Sequence, residues 1–252
     1  MKILLSLFLV YLGICAYLYF TQYDKVFNRK WAKEYNPKIA QKIYFDSSVG
    51  RLEGAFTKNC ENCPLVLYFS GNANNVIEFL DKVAPKIKGY NFAGFNYPGY
   101  AGSEGSPSEE NFYKVASEIF EKYNPDFVIG RSIGTAVASY LASKYDFKGL
   151  VLITPFDSIV SIAKQKYPFI PVGILLKYKF NEAEFVSKTD IPTVVIALKK
   201  DDVIPEKSLK NLLKNIKNLK DIIWLDGVTH GRIYEYPQIE KIIKKALDEL
   251  QK

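Results

Sequence analysis

Between Leu65 and Leu225 six short apolar runs recur: LVLYF (65–69), NFAGF (91–95), FVI (127–129), LVLI (150–153), TVVIA (193–197) and IIWL (222–225). Each is bounded by Gly, Pro, Asn or Asp, and each is too short for a helix, which is how strands buried on both faces read. Helical patterns separate them, near 75–87, 108–122, 132–144, 206–217 and 237–250. The last places Ile239, Ile242, Ile243, Ala246, Leu247 and Leu250 on one face. Strands alternating with helices predict an α/β fold, a mostly parallel sheet with helices on both faces. Ile43–Phe45 and Leu52–Phe56, around the turn SSVG, add a leading antiparallel hairpin and bring the expected sheet to eight strands.

The start of the chain obeys a different rule. Ile3 to Phe20, ILLSLFLVYLGICAYLYF, carries no charge over 18 positions. At about 1.5 Å per residue such a helix is roughly 27 Å long, close to the hydrocarbon thickness of a bilayer. A signal peptide usually has a shorter apolar stretch that ends at small residues. Here the run closes on Tyr17, Tyr19 and Phe20, which suit a membrane interface. Cys15 follows Ile14 and so lacks the small neighbour that lipoprotein processing needs. The reading favours an uncleaved single-pass anchor over residues 1–22, a juxtamembrane linker over 23–39 and one domain over 40–252. Lys2 and the N-terminal amine argue for an inward N-terminus; Lys25, Arg29, Lys30 and Lys33 argue the opposite. Orientation stays open on charge alone.

The 252 residues are 48% hydrophobic, enough for one large core, and no repeat or low-complexity linker divides them. The net charge of +7 reads as a solvated surface with some attraction to anionic headgroups. Nucleic-acid binding is not supported, because no basic stripe interleaves with aromatics. Cys60 and Cys63 sit in KNCENCP, and the chain has a single histidine, so a structural zinc site, which usually needs four Cys/His ligands, is not expected. A small loop-closing disulfide between them would fit an oxidising compartment and tips the domain outward.

One interval breaks the rhythm. Between the sixth and seventh strands a longer segment carries Tyr167, Phe169, Ile170, Leu175, Leu176 and Tyr178. These cannot all enter a core that is already complete. They either pack beneath a long loop or form a small apolar cap, at about 156–190, over a pocket.

Chemistry concentrates at PDFVIGRSIGTAVASYLA. Ser132 lies between Gly130 and Gly134, after a strand and before a helix. That context defines a nucleophile elbow, whose small flanking residues allow the sharp turn. A serine hydroxyl needs a base. The chain's one histidine, His230, follows the last strand in VTHG. Asp201 and Asp202 follow the seventh strand, and Asp201, the first of D-D-V-I-P, is taken as the acid, with Asp202 as the alternative. Oxyanion donors are expected at the backbone N–H of Ile133 and at that of Asn72, in SGNANN after the third strand. Such a constellation performs acyl transfer to water without metal or organic cofactor.

The segments SGNANN, NYPGYAGSEGSPSE, G-R-S-I-G, TPFDSI, DDVIP and THG together resemble the α/β-hydrolase superfamily, in particular membrane-anchored serine hydrolases with a short cap. That group includes relatives of protein depalmitoylases and of serine-aminopeptidase-like hydrolases. The resemblance covers nearly everything from about residue 40 onward. It implies that the NYPGYAGSEG loop shapes the mouth of the site, with Tyr97 or Tyr100 as pocket candidates beside Tyr167, Phe169 and Leu175. The family usually has His where this chain has Ser70, a residue thought to order the oxyanion loop. Asp157 in TPFDSI is read as organising the start of the cap or capping a helix with Ser158. The expected activity is cleavage of esters or thioesters of lipid-like acyl substrates. A peptidase or amidase is the alternative, and a non-catalytic, membrane-tethered interaction protein is the reading from another class.

Overall fold

The computed structural model describes residues 2–252. Eight strands form one sheet: β1 (Gln41–Ser47), β2 (Gly50–Thr57), β3 (Leu65–Phe69), β4 (Asn91–Phe95), β5 (Phe127–Arg131), β6 (Gly149–Ile153), β7 (Thr193–Leu198) and β8 (Leu219–Leu225). Their order is β1-β2-β4-β3-β5-β6-β7-β8. β2 runs antiparallel to both β1 and β4, and every other pairing is parallel.

Central strands send alternate residues into two separate cores. Leu67, Phe69, Val128, Leu150, Leu152 and Val195 face one; Val66, Tyr68, Phe127, Ile129, Val151 and Val194 face the other. Both faces are apolar because both are covered, which is why these strands read as continuous apolar runs. The first core is closed by α3 (Glu109–Tyr123), α4 (Ile133–Ala142) and α8 (Glu206–Leu213); the second is closed by α2 (Val76–Lys82) and α9 (Ile239–Glu249). Side-chain caps start several helices where the sequence supplies them: Asn75 accepts from the N–H of Ile77 before α2, and Ser108 from that of Asn111 before α3.

The chain passes from β3 to β4 on one side, then returns across β3 to β5 and continues the other way. That reversal parts the loops that follow β3 and β5. Open α/β sheets gather ligands at such a switch point, outside the carboxyl ends of the strands.

Two further parts lie against this body. Helix α1 (Lys2–Val26) is long and apolar enough to cross a membrane, and most of its side chains are exposed. Its last turn is not free, because Val26 and the following Phe27 are buried in the first core. Phe27 meets Tyr178, Phe112 and Phe180 edge-on. The β6–β7 interval folds as α5 (Ile159–Lys166), α6 (Val172–Leu175) and α7 (Glu182–Val186). α5 buries no residue and α6 buries only Val172. α7 belongs to the body instead: Glu182, fully buried, bonds Thr135 and Ser139 of α4. Cys60 and Cys63 are joined, closing the turn before β3.

Candidate active site

Strand β5 ends at Arg131, and the backbone reverses at Ser132 with φ 51° and ψ −122°. Left-handed φ is costly for a residue with a side chain, so the surroundings must impose it. They do so through the two glycines. A Cβ on Gly130 would stand 2.3 Å from the carbonyl oxygen of Gly134, and one on Gly134 would stand 2.4 Å from that of Phe69. With neither present, α4 starts directly after the serine and packs against β3 and β5. The Ser132 N–H is held by the Ile153 carbonyl of β6 at 2.9 Å.

Ser132 Oγ lies 2.9 Å from His230 Nε2. On the other side of the ring, Nδ1 is 3.0 Å from one Asp201 oxygen and 3.2 Å from the other. His230 is buried, and the Asp201 side chain is only 10% exposed. Burial alone would raise the Asp201 carboxyl. The His230 hydrogen bond and charge, with the N–H groups of Ile204 and Val203, outweigh it and hold the group below its ordinary value. An ionised Asp201 fixes the proton of the ring on Nδ1 and leaves Nε2 to accept from the serine.

No family model matches the chain. An uncharacterized protein of Mycobacterium tuberculosis is 30% identical over 177 residues, 67% of this chain, and the match spans just 63% of that relative's length. The α/β hydrolase domain-containing protein 17B of Xenopus laevis is 26% identical over 211 residues, covering 77% of this chain and 70% of that protein. An α/β hydrolase from Vibrio vulnificus superposes with a TM-score of 0.67 at 17% identity, over 88% of this chain and 91% of that one. An esterase from Pyrococcus furiosus superposes with a TM-score of 0.64 at 17% identity, over 86% and 97%. The chain thus has the α/β-hydrolase fold and is similar in sequence to an α/β hydrolase domain-containing protein.

On this hydrolase fold, a cleft of about 570 Å³ opens above Ser132 between α1 and the β6–β7 interval. Its walls include Leu18 and Gln22 of α1, Ile162 of α5, and Tyr167, Ile170 and Leu175. Ser132, Ile133 and Asn72 also line it. The backbone N–H groups of Ile133 and Asn72 donate to no acceptor among the described residues. Asn72 itself is tightly held: its side-chain oxygen accepts from Tyr100 Oη at 2.7 Å and from the Asn28 N–H at 3.0 Å. Its side-chain nitrogen donates to the Val26 carbonyl at 2.6 Å. Ser70 contributes little through its hydroxyl, whose contact to the Asn74 carbonyl is 3.5 Å. The loop is ordered instead from Tyr100 and from the end of α1.

Three of the five pocket candidates are corrected. Tyr97 and Tyr100 do not line the cleft; they lie buried beneath it. Tyr97 stacks on Phe112 at 3.9 Å and donates to the Ser70 carbonyl at 3.0 Å. Aromatic residues in a loop after a buried strand were drawn under the loop by the apolar face of α3. Phe169 is also outside the cleft, 87% exposed at the tip of the β6–β7 interval. Tyr167 and Leu175 do line it. Asp157 is far from His230 in function: its carboxylate bonds Ser208 and Asn211 of α8 and the Ser158 N–H at the start of α5.

Sequence reasoning missed Arg131. Its guanidinium is buried and donates to the His230 carbonyl at 2.7 Å and to the Asn74 side chain, joining the Ser132 turn, the His230 loop and the loop after β3. Gly71 makes the room, since a Cβ there would meet the guanidinium at 2.4 Å. The available signal was an arginine directly continuing an apolar strand, a place where no charge can reach water. Asp202 was also underread: it accepts the His230 N–H at 2.8 Å, so the paired aspartates hold the ring and the backbone of one residue.

Proposed function

We propose that this chain is a membrane-anchored serine hydrolase that cleaves esters or thioesters of lipid-like acyl substrates. The observation that carries the reading is the chain of contacts Ser132–His230–Asp201 at the base of an apolar cleft. His230 Nε2 takes the hydroxyl proton as Ser132 Oγ attacks the acyl carbonyl. Asp201 keeps the ring oriented and stabilises its charged form. The N–H groups of Ile133 and Asn72, free of other partners and beside the serine, are positioned to receive the developing oxyanion. The imidazolium then protonates the leaving alcohol or thiol. A water, activated by the same nitrogen, releases the acid and restores Ser132.

The apolar walls favour an acyl chain over a peptide. A single acidic side chain, Asp24, faces the cleft beside Lys25, which is a poor receiver for a substrate ammonium. Retention of α1 as an anchor is supported by Phe27 in the core and by the α1 contacts to Asn72, all of which cleavage would sacrifice or loosen. The Cys60–Cys63 pair favours an oxidising side of the membrane.

A panel of acyl esters, acyl thioesters and aminoacyl amides, assayed on full-length protein, tests the reaction class. Esters or thioesters should turn over at least tenfold faster than amides. Preferential amide cleavage would overturn the reading.

A further inference from the structure

The α1 helix and the β6–β7 interval touch at separate levels. Gln22 Nε2 donates to the Leu175 carbonyl at 3.1 Å, and its Oε1 accepts from the Lys177 N–H at 2.7 Å. Lys177 Nζ stands 4.5 Å over the Tyr19 ring. Further along, Tyr11 Oη donates to the Phe169 carbonyl at 3.0 Å. The segment from Phe169 to Lys177 therefore lies alongside α1 from Tyr11 to Gln22. At a rise of about 1.5 Å per residue these contacts span roughly 16 Å of the helix axis.

Tyr11 sits in the middle of the charge-free run Ile3–Phe20. If Tyr17, Tyr19 and Phe20 mark the interface, Tyr11 lies about 10 Å inside the hydrocarbon, and whatever is bonded to it lies there too. The composition of the tip agrees independently. YPFIPVGILL (167–176) has no charge, with Lys164 and Lys166 before it and Lys177 and Lys179 after it. Phe169 and Ile174, at 87% and 86% exposure, are the most exposed large apolar side chains among the described residues. In water they would be a liability; in a leaflet they are at home, and the flanking lysines reach back to anionic headgroups. Between this tip and α1 runs the cleft, lined by Leu18 and Tyr19 of α1, by Tyr167 and Ile170 of the tip and by Ser132 of the sheet body.

We propose that Tyr167–Leu176 inserts into the same leaflet that α1 crosses, and that the cleft between them is a lateral passage. Through it the acyl chain of a bilayer-resident substrate reaches Ser132 without leaving the lipid. This rests on the acyl-hydrolase reading above and narrows it: the substrate is a membrane lipid or lipidated molecule, and α1 is a wall of its binding site as well as a tether.

The test uses full-length protein in phosphatidylcholine vesicles containing phosphatidylglycerol, with two reporters, a fluorogenic palmitoyl ester dissolved in the bilayer and a water-soluble butyryl ester. The paired change Phe169→Asp and Ile174→Asp alters side chains that do not line the cleft. Hydrolysis of the palmitoyl ester should fall at least tenfold while the butyryl ester stays within twofold, and Phe169→Leu with Ile174→Leu should restore the native ratio. An equal effect on both esters, or on neither, overturns the passage. Insertion is read without activity, from Phe169→Trp in a background of Trp31→Phe and Trp224→Phe. Its fluorescence should be quenched by lipids brominated along the acyl chain and protected from aqueous iodide; the opposite pattern overturns insertion. Should the native protein hydrolyse neither ester while the tip is still quenched by lipid, the acyl-hydrolase reading fails and the inserted tip stands.

Discussion

The turn at Ser132 and the walls of the cleft above it are built by opposite means. At the turn nearly every neighbour is buried: α4 leaves only Tyr140 partly exposed, and glycines at 130 and 134 bring backbones into direct contact. The walls are thin. α5 has no buried residue, α6 has one, and they are tied to α1 by a few polar contacts centred on Gln22. The difference teaches where each property is kept. Groups proposed to react are fixed by the core, where a displacement of an ångström is costly, while the surface that would choose the acyl chain can deform.

The hardest way to break that contrast is Gly134→Ala. Its Cβ would strike the Phe69 and Ser70 carbonyl oxygens, which are backbone and cannot step aside. The variant should lose about 3 kcal/mol or more in denaturant unfolding, together with all activity. Wild-type stability would show that the elbow is not rigid.

Arg131→Met comes next. It removes the link between the His230 carbonyl and Asn74 while leaving Ser132, His230 and Asp201 intact. A positioning role predicts a fall in kcat of about 100-fold with KM nearly unchanged. Arg131→Lys should recover only part, since one ammonium cannot reproduce the planar fork. A loss confined to stability, with kcat preserved in the folded fraction, would reduce Arg131 to a structural brace.

Glu182 sharpens the comparison through pH. Burial pushes its carboxyl up to about 8, against hydrogen bonds from Thr135, the Phe156 N–H and Ser139 that pull it down. Thr135 Oγ1 is in reach of both the Ser132 carbonyl, at 2.5 Å, and Glu182, at 2.6 Å. Its single proton serves one of them, so a protonated Glu182 donating to Thr135 satisfies both. The folded state therefore holds the proton more tightly than the unfolded chain. Stability from this group is complete below about 4.5 and drains away as pH rises toward about 8. Glu182→Gln should abolish that slope and gain on the order of 2 kcal/mol at the alkaline end. An unchanged slope would place its origin elsewhere.

How much of this was legible before the structure follows from the same division. The apolar runs that became β3 to β7 were readable because both their faces are covered; β8, at the sheet edge, buries only Leu225 and was readable from its apolar residues alone. Ser132, Asp201 and His230 were readable because each follows a strand end and the chain has a single histidine. Arg131, Glu182 and the contact of Asp202 to the His230 backbone were not, because these partners lie on other elements and no local spacing marks them. Tyr97 and Tyr100 misled for a related reason: an aromatic residue near a site looks the same in sequence whether it faces the cleft or supports its floor. The role of α1 was hidden altogether. A charge-free run suits a membrane span, but neither it nor the following turn through Gln22 and Val26 announces contacts to Asn72, Leu175 or Phe169.

The mildest intervention is at the wall. Gln22→Ala removes the two hydrogen bonds that clasp the cleft and leaves the reacting groups untouched. KM for a long-chain ester should rise about threefold, on the order of 0.65 kcal/mol and so a fraction of the about 2 kcal/mol the two hydrogen bonds supply, with kcat for a short ester unchanged. A collapse of kcat for both would mean that α1 governs the chemistry itself.

The central claim is that Ser132 is a nucleophile activated by His230, and covalent labelling with a fluorophosphonate probe tests it most directly. Native protein should label rapidly at one site, mapped to the peptide containing Ser132; His230→Ala should label far more slowly and Ser132→Ala not at all. Equal labelling of native protein and Ser132→Ala would contradict the account.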